Sequence, residues 1–281
     1  MASHPPGQCC TQGVRHTGEA KGEFVDIQGM AVKTYVSTPK SGDKSLAILI
    51  LPDVIGNEFI NAQLISDQFA ANSYYTVMPD LFQGDPVKLN RPEGFDIMAW
   101  LQKGGPEGKG HLPDSVDPII EKTIAWMKEQ GVKKIGAVGY CFGGKYVCRF
   151  LAEGRGVSVG YTAHPSFVDE AEVKGITGPL SIAAAETDQI FPAEKRRQTE
   201  DILKEMKVPY QMSLYSDVEH GFAGALYTIP QRFSFVANGA AVRADLSKKS
   251  VKFAKEAAFL QAVQWFDEFL KGERSSATPA E

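Results

Sequence analysis

Three side chains could between them carry out acyl transfer: Cys141, Asp188 and His220. Cys141 sits in Gly139-Tyr140-Cys141-Phe142-Gly143-Gly144, between the apolar β-forming run 133–138 and a stretch, 145–152, that reads as a helix. A nucleophile with glycine two residues before and after it, between strand and helix, has the layout of a nucleophile elbow. The turn is tight, so its flanking positions must lack bulk. The thiol is thrust out of the sheet towards the positive end of a helix dipole, where thiolate is favoured.

The strand expected over 179–185 ends in Glu186-Thr187-Asp188, and that over 210–215 leads into Asp217-Val218-Glu219-His220-Gly221-Phe222. The chain order of nucleophile, acid and histidine is the order of an α/β-hydrolase triad. His220 would take the thiol proton and return it to the leaving group, while Asp188 would fix its tautomer and stabilise the imidazolium. Glu186 is the rival acid, and Asp188 taken alone also reads as a loop or helix-capping residue. The oxyanion of an acyl transfer needs backbone donors. The amide of Phe142 is one, and the amide of Val54, in the loop after the strand 46–51, is the expected second. His164 closes the strand 157–163 and could line the cleft or simply end the strand with a hydrogen bond.

Those residues need a scaffold. Leu46–Leu51 is apolar without alternation, as a parallel strand buried on both faces requires. From there strands are expected at 74–78, 133–138, 156–163, 179–185 and 210–215, after two short strands near 22–27 and 31–37. Helices are expected at 58–71, 95–102, 114–130, 192–207 and 250–271. The β-α alternation argues an α/β fold: a mostly parallel central sheet with helices on both faces. Catalytic groups of such folds gather at the carboxyl ends of the strands. One domain over 22–272 is expected, preceded by a mobile or loosely docked arm over 1–21 and followed by a frayed tail over 273–281. The irregular stretches 81–110 and 220–248 read as binding loops or lids.

With 281 residues and 43% hydrophobic content the chain can bury a large core. A net charge of −4 gives no reason to expect nucleic acid or an anionic membrane as partner. No apolar run approaches a membrane span, and residues 1–22 lack a signal-peptide core, which points to a cytoplasmic protein. The four cysteines, 9, 10, 141 and 148, form no disulfide framework. Cys9-Cys10 lacks the paired spacing of a structural zinc site, so none is expected there. A redox-sensing role for Cys141 lacks an obvious resolving thiol, because Cys148 lies seven positions on (148 − 141) in the same helix.

The motifs G-Y-C-F-G-G at 139–144, E-T-D at 186–188, H-G-F at 220–222 and L-P-D-V-I-G-N at 51–57 together resemble the dienelactone hydrolase family, the carboxymethylenebutenolidase-like α/β-hydrolases. The resemblance runs from about residue 22 onward. The C-C-x-x-G-x-x-H-x-G segment at 9–18 is similar to the fungal branch. The resemblance implies an α/β-hydrolase fold and hydrolysis of a lactone or carboxylic ester through an acyl-cysteine, without metal or organic cofactor; a monomer or homodimer acting on a small molecule is expected. It implies a thiol-poising carboxylate at Asp53, where bacterial members carry glutamate. Those members bind a substrate carboxylate with two arginines; one of the two positions is Gly224 here, the other falls in the irregular region where Arg91 is the only arginine, and Arg232 or Arg243 could supply a replacement. Aromatic residues such as Phe222 suggest a bulkier or less acidic substrate. The same apparatus could serve a non-hydrolytic ring opening or isomerisation in secondary metabolism, and the fold could also serve as a non-catalytic ligand-binding protein.

Overall fold

The structure, a computed structural model, describes residues 2–11, 15–30, 32–91, 94–224 and 248–272. Eight strands form one sheet in the order β1-β2-β4-β3-β5-β6-β7-β8. They are β1 (Glu23–Asp26), β2 (Lys33–Ser37), β3 (Leu46–Leu51), β4 (Tyr75–Pro79), β5 (Lys134–Tyr140), β6 (Val159–Ala163), β7 (Leu180–Thr187) and β8 (Tyr210–Glu219). β1 and β2 pair antiparallel, β2 meets β4 antiparallel, and every other pairing is parallel. The helices are α1 (Ile60–Ala71), α2 (Ile97–Lys103), α3 (Pro113–Glu129), α4 (Gly143–Phe150), α5 (Glu170–Lys174), α6 (Ala193–Met206) and α7 (Lys249–Phe269).

The unbroken apolar run of β3 has its explanation in the two cores. Ala47, Leu49 and Leu51 face a cluster built with Val116 and Ile120 of α3, Val147 of α4 and Ile202 of α6. Ile48 and Ile50 face the opposite cluster, with Leu64 and Phe69 of α1 and Ala258 and Phe266 of α7. Alternate side chains serve opposite faces, so a central strand covered on both sides has no polar face. The sheet is thus a three-layer sandwich that holds the carboxyl ends of β3, β5, β7 and β8 fixed.

Several segments depart from the sequence reading. β8 does not stop at Tyr215 but runs to Glu219, because a register shift between Ala185 and Thr187 lets Thr187 pair with Glu219. A bulge of this kind re-aims the end of a strand, and here it delivers His220 beside Asp188. The expected mobile or loosely docked arm is also firmly placed over residues 2–11. The Ser3 amide donates to the Val168 carbonyl at 3.1 Å, the His4 amide to Ile190 at 2.8 Å and the Phe167 amide to His4 at 2.7 Å. Ala2, Ser3, Cys10 and Thr11 are buried. The excursion 81–110 is packed too: Phe82 and Trp100 lie 5.2 and 6.5 Å, ring to ring, from Phe142. The tail 273–281 and residues 225–247 lie outside the described residues.

One buried charge stands out in α7. Lys255 is 1% exposed, and its Nζ has no hydrogen-bond partner among the described residues. Burial, only partly offset by Glu256, lowers its pKa from 10.5 to about 7. The folded state therefore binds fewer protons than the unfolded chain between pH ~7 and ~10.5, and stability from this group rises with pH across that window. Lys255→Met should raise stability by about 2–4 kcal/mol at pH 7 and by little near pH 10. Urea melts at the two pH values check this, and an equal gain at both would exclude it.

Candidate active site

The elbow forms because glycine stands wherever the turn meets backbone. A Cβ on Gly143 would lie 1.9 Å from the Leu51 carbonyl oxygen, and one on Gly139 would lie 2.5 Å from the Gly143 carbonyl. One on Gly144 would strike Thr162 Oγ1 at 2.5 Å and Pro165 Cβ at 2.8 Å. β5 and α4 can therefore close to this distance only without side chains. The turn residue itself, Cys141, has φ +49°, a left-handed conformation that costs a non-glycine residue about 1–2 kcal/mol. Its amide donates to Ala163 at 3.1 Å, and its carbonyl accepts from Gly144 and Ser166, both at 3.0 Å. Those bonds hold the strained residue in place.

The structure brings Cys141, Asp188 and His220 together, all buried. His220 Nδ1 lies 2.9 and 3.0 Å from the two Asp188 oxygens. Asp188 Oδ1 also accepts from the amides of Ile190 and Phe191, at 2.8 and 2.9 Å. Burial works against the Asp188 carboxylate, but His220 and the two amides outweigh it and hold the carboxyl below its usual range. Burial likewise opposes a charge on His220. The negative charges of Asp188 and Cys141, with hydrogen bonds to both, overcome that and raise the imidazole well above its usual value. With Nδ1 committed to Asp188, Nε2 is the nitrogen presented to sulfur. Glu186 is exposed and accepts from the Asp217 amide at 2.8 Å, while Asp188 takes the histidine.

Other expected residues fall into three groups. Phe142 and Val54 are fully buried beside the elbow, and the Val54 carbonyl is tied to the Val87 amide at 2.8 Å. Asp53 receives the Ile55 amide on Oδ1 at 2.8 Å; a Cβ on Gly224 would sit 3.4 Å from its Oδ2. Asp53, Tyr140 and Gly224 share a small cleft. His164, at φ +39°, stacks edge-on against His220 at 5.0 Å and Phe222 at 5.8 Å, so both lie in the wall around the imidazole. Arg91 is engaged with the arm and its own loop: its Nε donates to Thr11 Oγ1 at 2.8 Å and its guanidinium covers the Phe95 ring. Arg232 and Arg243 lie outside the described residues.

Two residues at the site were not legible as such. Ser166 Oγ lies 3.5 Å from Cys141 Sγ. The only sequence signal was its place two residues after His164. Cys10, from the arm, is fully buried with Sγ 3.4 Å from His220 Nε2. Cys10, Cys141 and His220 each offer one donor atom, and the three atoms lie within 4.8 Å of one another.

An eight-stranded, mostly parallel sheet with helices on both faces and a strand–nucleophile–helix elbow at its carboxyl edge is the α/β-hydrolase fold. The dienelactone hydrolase family profile matches residues 32–270. The chain belongs to that family, among the ester and lactone hydrolases. A protein called hydrolase tropI, from Talaromyces stipitatus, is 49% identical over 273 residues, covering 96% of this chain and 99% of the relative. "Dienlactone hydrolase 1" of Gibberella moniliformis is 32% identical over 287 residues, covering 97% of each. A solved dienelactone hydrolase from Anabaena variabilis superposes with TM-score 0.58 at 11% identity, covering 90% of this chain and 99% of that one. No helix among the described residues is long and apolar enough to cross a membrane.

Proposed function

We propose that this chain hydrolyses a small lactone or carboxylic ester through an acyl-cysteine on Cys141. The observation that carries the reading is the buried Asp188–His220 pair, with one ring nitrogen within 4.8 Å of the Cys141 sulfur on its strained elbow. In this reading Cys141 attacks the carbonyl as thiolate, and the amides of Phe142 and Val54 hold the oxyanion. Each such donor is typically worth ~3 kcal/mol of barrier. His220 protonates the departing oxygen, then takes a proton from the water that cleaves the acyl-cysteine. Asp53 is proposed to influence the resting thiol through the loop that carries Val54. The substrate is proposed to be less acidic than a dienelactone, since position 224 is glycine and Arg91 is engaged with Thr11.

The test is a panel of short p-nitrophenyl esters and enol-lactones, quenched in acid during turnover and mapped by mass spectrometry. An acyl group on the peptide carrying Cys141 is expected. Turnover with no acyl adduct, or an adduct on another cysteine, would remove Cys141 as nucleophile.

A further inference from the structure

The arm brings a second thiol to the elbow. Residues 8–11 form one 3-10 turn, held at its end by the Asn90 amide on the Thr11 carbonyl at 2.7 Å and by Arg91 on the Thr11 hydroxyl. This turn seats Cys10 against both Cys141 and His220, with the two sulfurs within 4.8 Å of each other. The Gly7 amide donates to Cys10 Sγ at 3.4 Å. Burial and its thiol neighbours keep Cys10 protonated, with its pKa well above 9.0, while Cys9, half-buried, is lowered to about 7, chiefly by its hydrogen bond to Cys10. The cluster thus holds a nucleophilic sulfur, a reserve thiol beside it, and an imidazole that can take the reserve thiol's proton. That is the equipment of a dithiol that consumes a hydroperoxide.

The geometry points to a second chemistry at this site: Cys141 and Cys10 together reduce one hydroperoxide and end as a disulfide. It rests on Cys141 being the reactive thiol. The Cys141 thiolate attacks one peroxide oxygen, the O–O bond breaks, and the departing alkoxide takes a proton from His220. The product is a sulfenic acid on Cys141 and an alcohol, or water from hydrogen peroxide. His220 Nε2 then accepts the Cys10 proton, the Cys10 sulfur attacks the Cys141 sulfur, and hydroxide leaves as water with that proton. Two thiols lose two electrons and the peroxide gains them. Joining the sulfurs at the ~2.0 Å of a disulfide asks for a shift of the short 3-10 turn and a side-chain rotation. Ester hydrolysis stops until an added dithiol reduces the bond. Cys148, buried on α4 with its pKa pushed up to about 12, takes no part.

The experiment treats the full-length chain with a small excess of hydrogen peroxide and reads intact mass, linked peptides and esterase rate. Wild type should become lighter by two hydrogens, yield a Cys10–Cys141 linked peptide, lose hydrolysis and regain it with dithiothreitol. Cys9→Ser should form the same link. Cys10→Ser, shown folded by circular dichroism, should instead gain two or three oxygens on Cys141 and not recover. A Cys9–Cys141 or Cys9–Cys10 link, or over-oxidised Cys141 in wild type without a link, would overturn the inference. The link is read by mass, so it is scored even where no ester is turned over. Linkage without esterase activity would sink the proposed hydrolysis and spare the dithiol.

Discussion

Cys141→Ala is expected to reduce ester turnover by about 10⁴-fold or more, with KM little changed. Its sulfur is proposed to form the bond to the acyl carbon, so no neighbouring group substitutes for it; Cys10 lies beside it but is held protonated by burial and its thiol neighbours. Asp188→Asn should cost ~10⁴ in kcat without disturbing the elbow. The amide cannot hold His220 in the tautomer that presents Nε2 to sulfur, and its NH2 can face the ring's own N–H. Asp188→Asn also has a pH signature. The Asp188 charge is the largest influence that raises the His220 pKa; without it burial dominates and the imidazole falls back. The raised histidine contributes stability that is complete below its unfolded pKa of about 6.5 and lost as pH rises through the higher folded value. The stability lost in Asp188→Asn should therefore be greater at pH 6 than at pH 10. Stopped-flow rates and chemical denaturation at both values check the two halves. A loss in kcat under tenfold for Cys141→Ala would remove it from the nucleophile's role.

Gly143→Ala is expected to lower stability by about 3 kcal/mol or more and the melting temperature by roughly 6–12 °C. The added methyl would meet a backbone oxygen, that of Leu51, at 1.9 Å. Leu51 belongs to β3, which is paired on both sides, by β4 and by β5. A flexible side chain could swing aside, but a central strand cannot, so α4 must retreat. With it would move the Cys141 turn and the Phe142 amide, and activity should fall further than unfolding alone explains. Gly154→Ala separates clash from backbone strain: Gly154 has φ +74° with nothing near its would-be Cβ. That change should cost only about 1 kcal/mol. Calorimetric melts of the two variants decide it, and a Gly143→Ala melt within a degree or two of wild type would refute the close-approach account.

Much of this was legible in the chain. The elbow is a local backbone event, and its requirements fall on residues within two or three positions of Cys141. Glycine at 139, 143 and 144 is therefore a sequence signal as well as a steric one. The strands are legible because β3 and the buried part of β5 after Lys134, covered on both faces, must be apolar, and the chain order of Asp188 and His220 follows from which strand ends they occupy. Lys255 could not be read this way: on the sequence it is one more charged residue in a mixed helix, and only packing of α7 against the sheet makes it a buried charge. The sequence favours Asp188 over Glu186 by its register with His220; the bulge in β7–β8 then turns one carboxylate to solvent and the other to His220.

The sequence by itself determined the fold class, the elbow and the order of the three triad residues, because each is written in the chain's own spacing and order. Only the tertiary structure decided what stands beside the sulfur. Cys10 reaches His220 across 210 positions of chain, through a short 3-10 turn with no periodicity to read, and Ser166 reaches Cys141 from a loop. Contacts of that kind arise from where an arm docks and which pocket it fills, a property of the assembled surface rather than of any one stretch of residues.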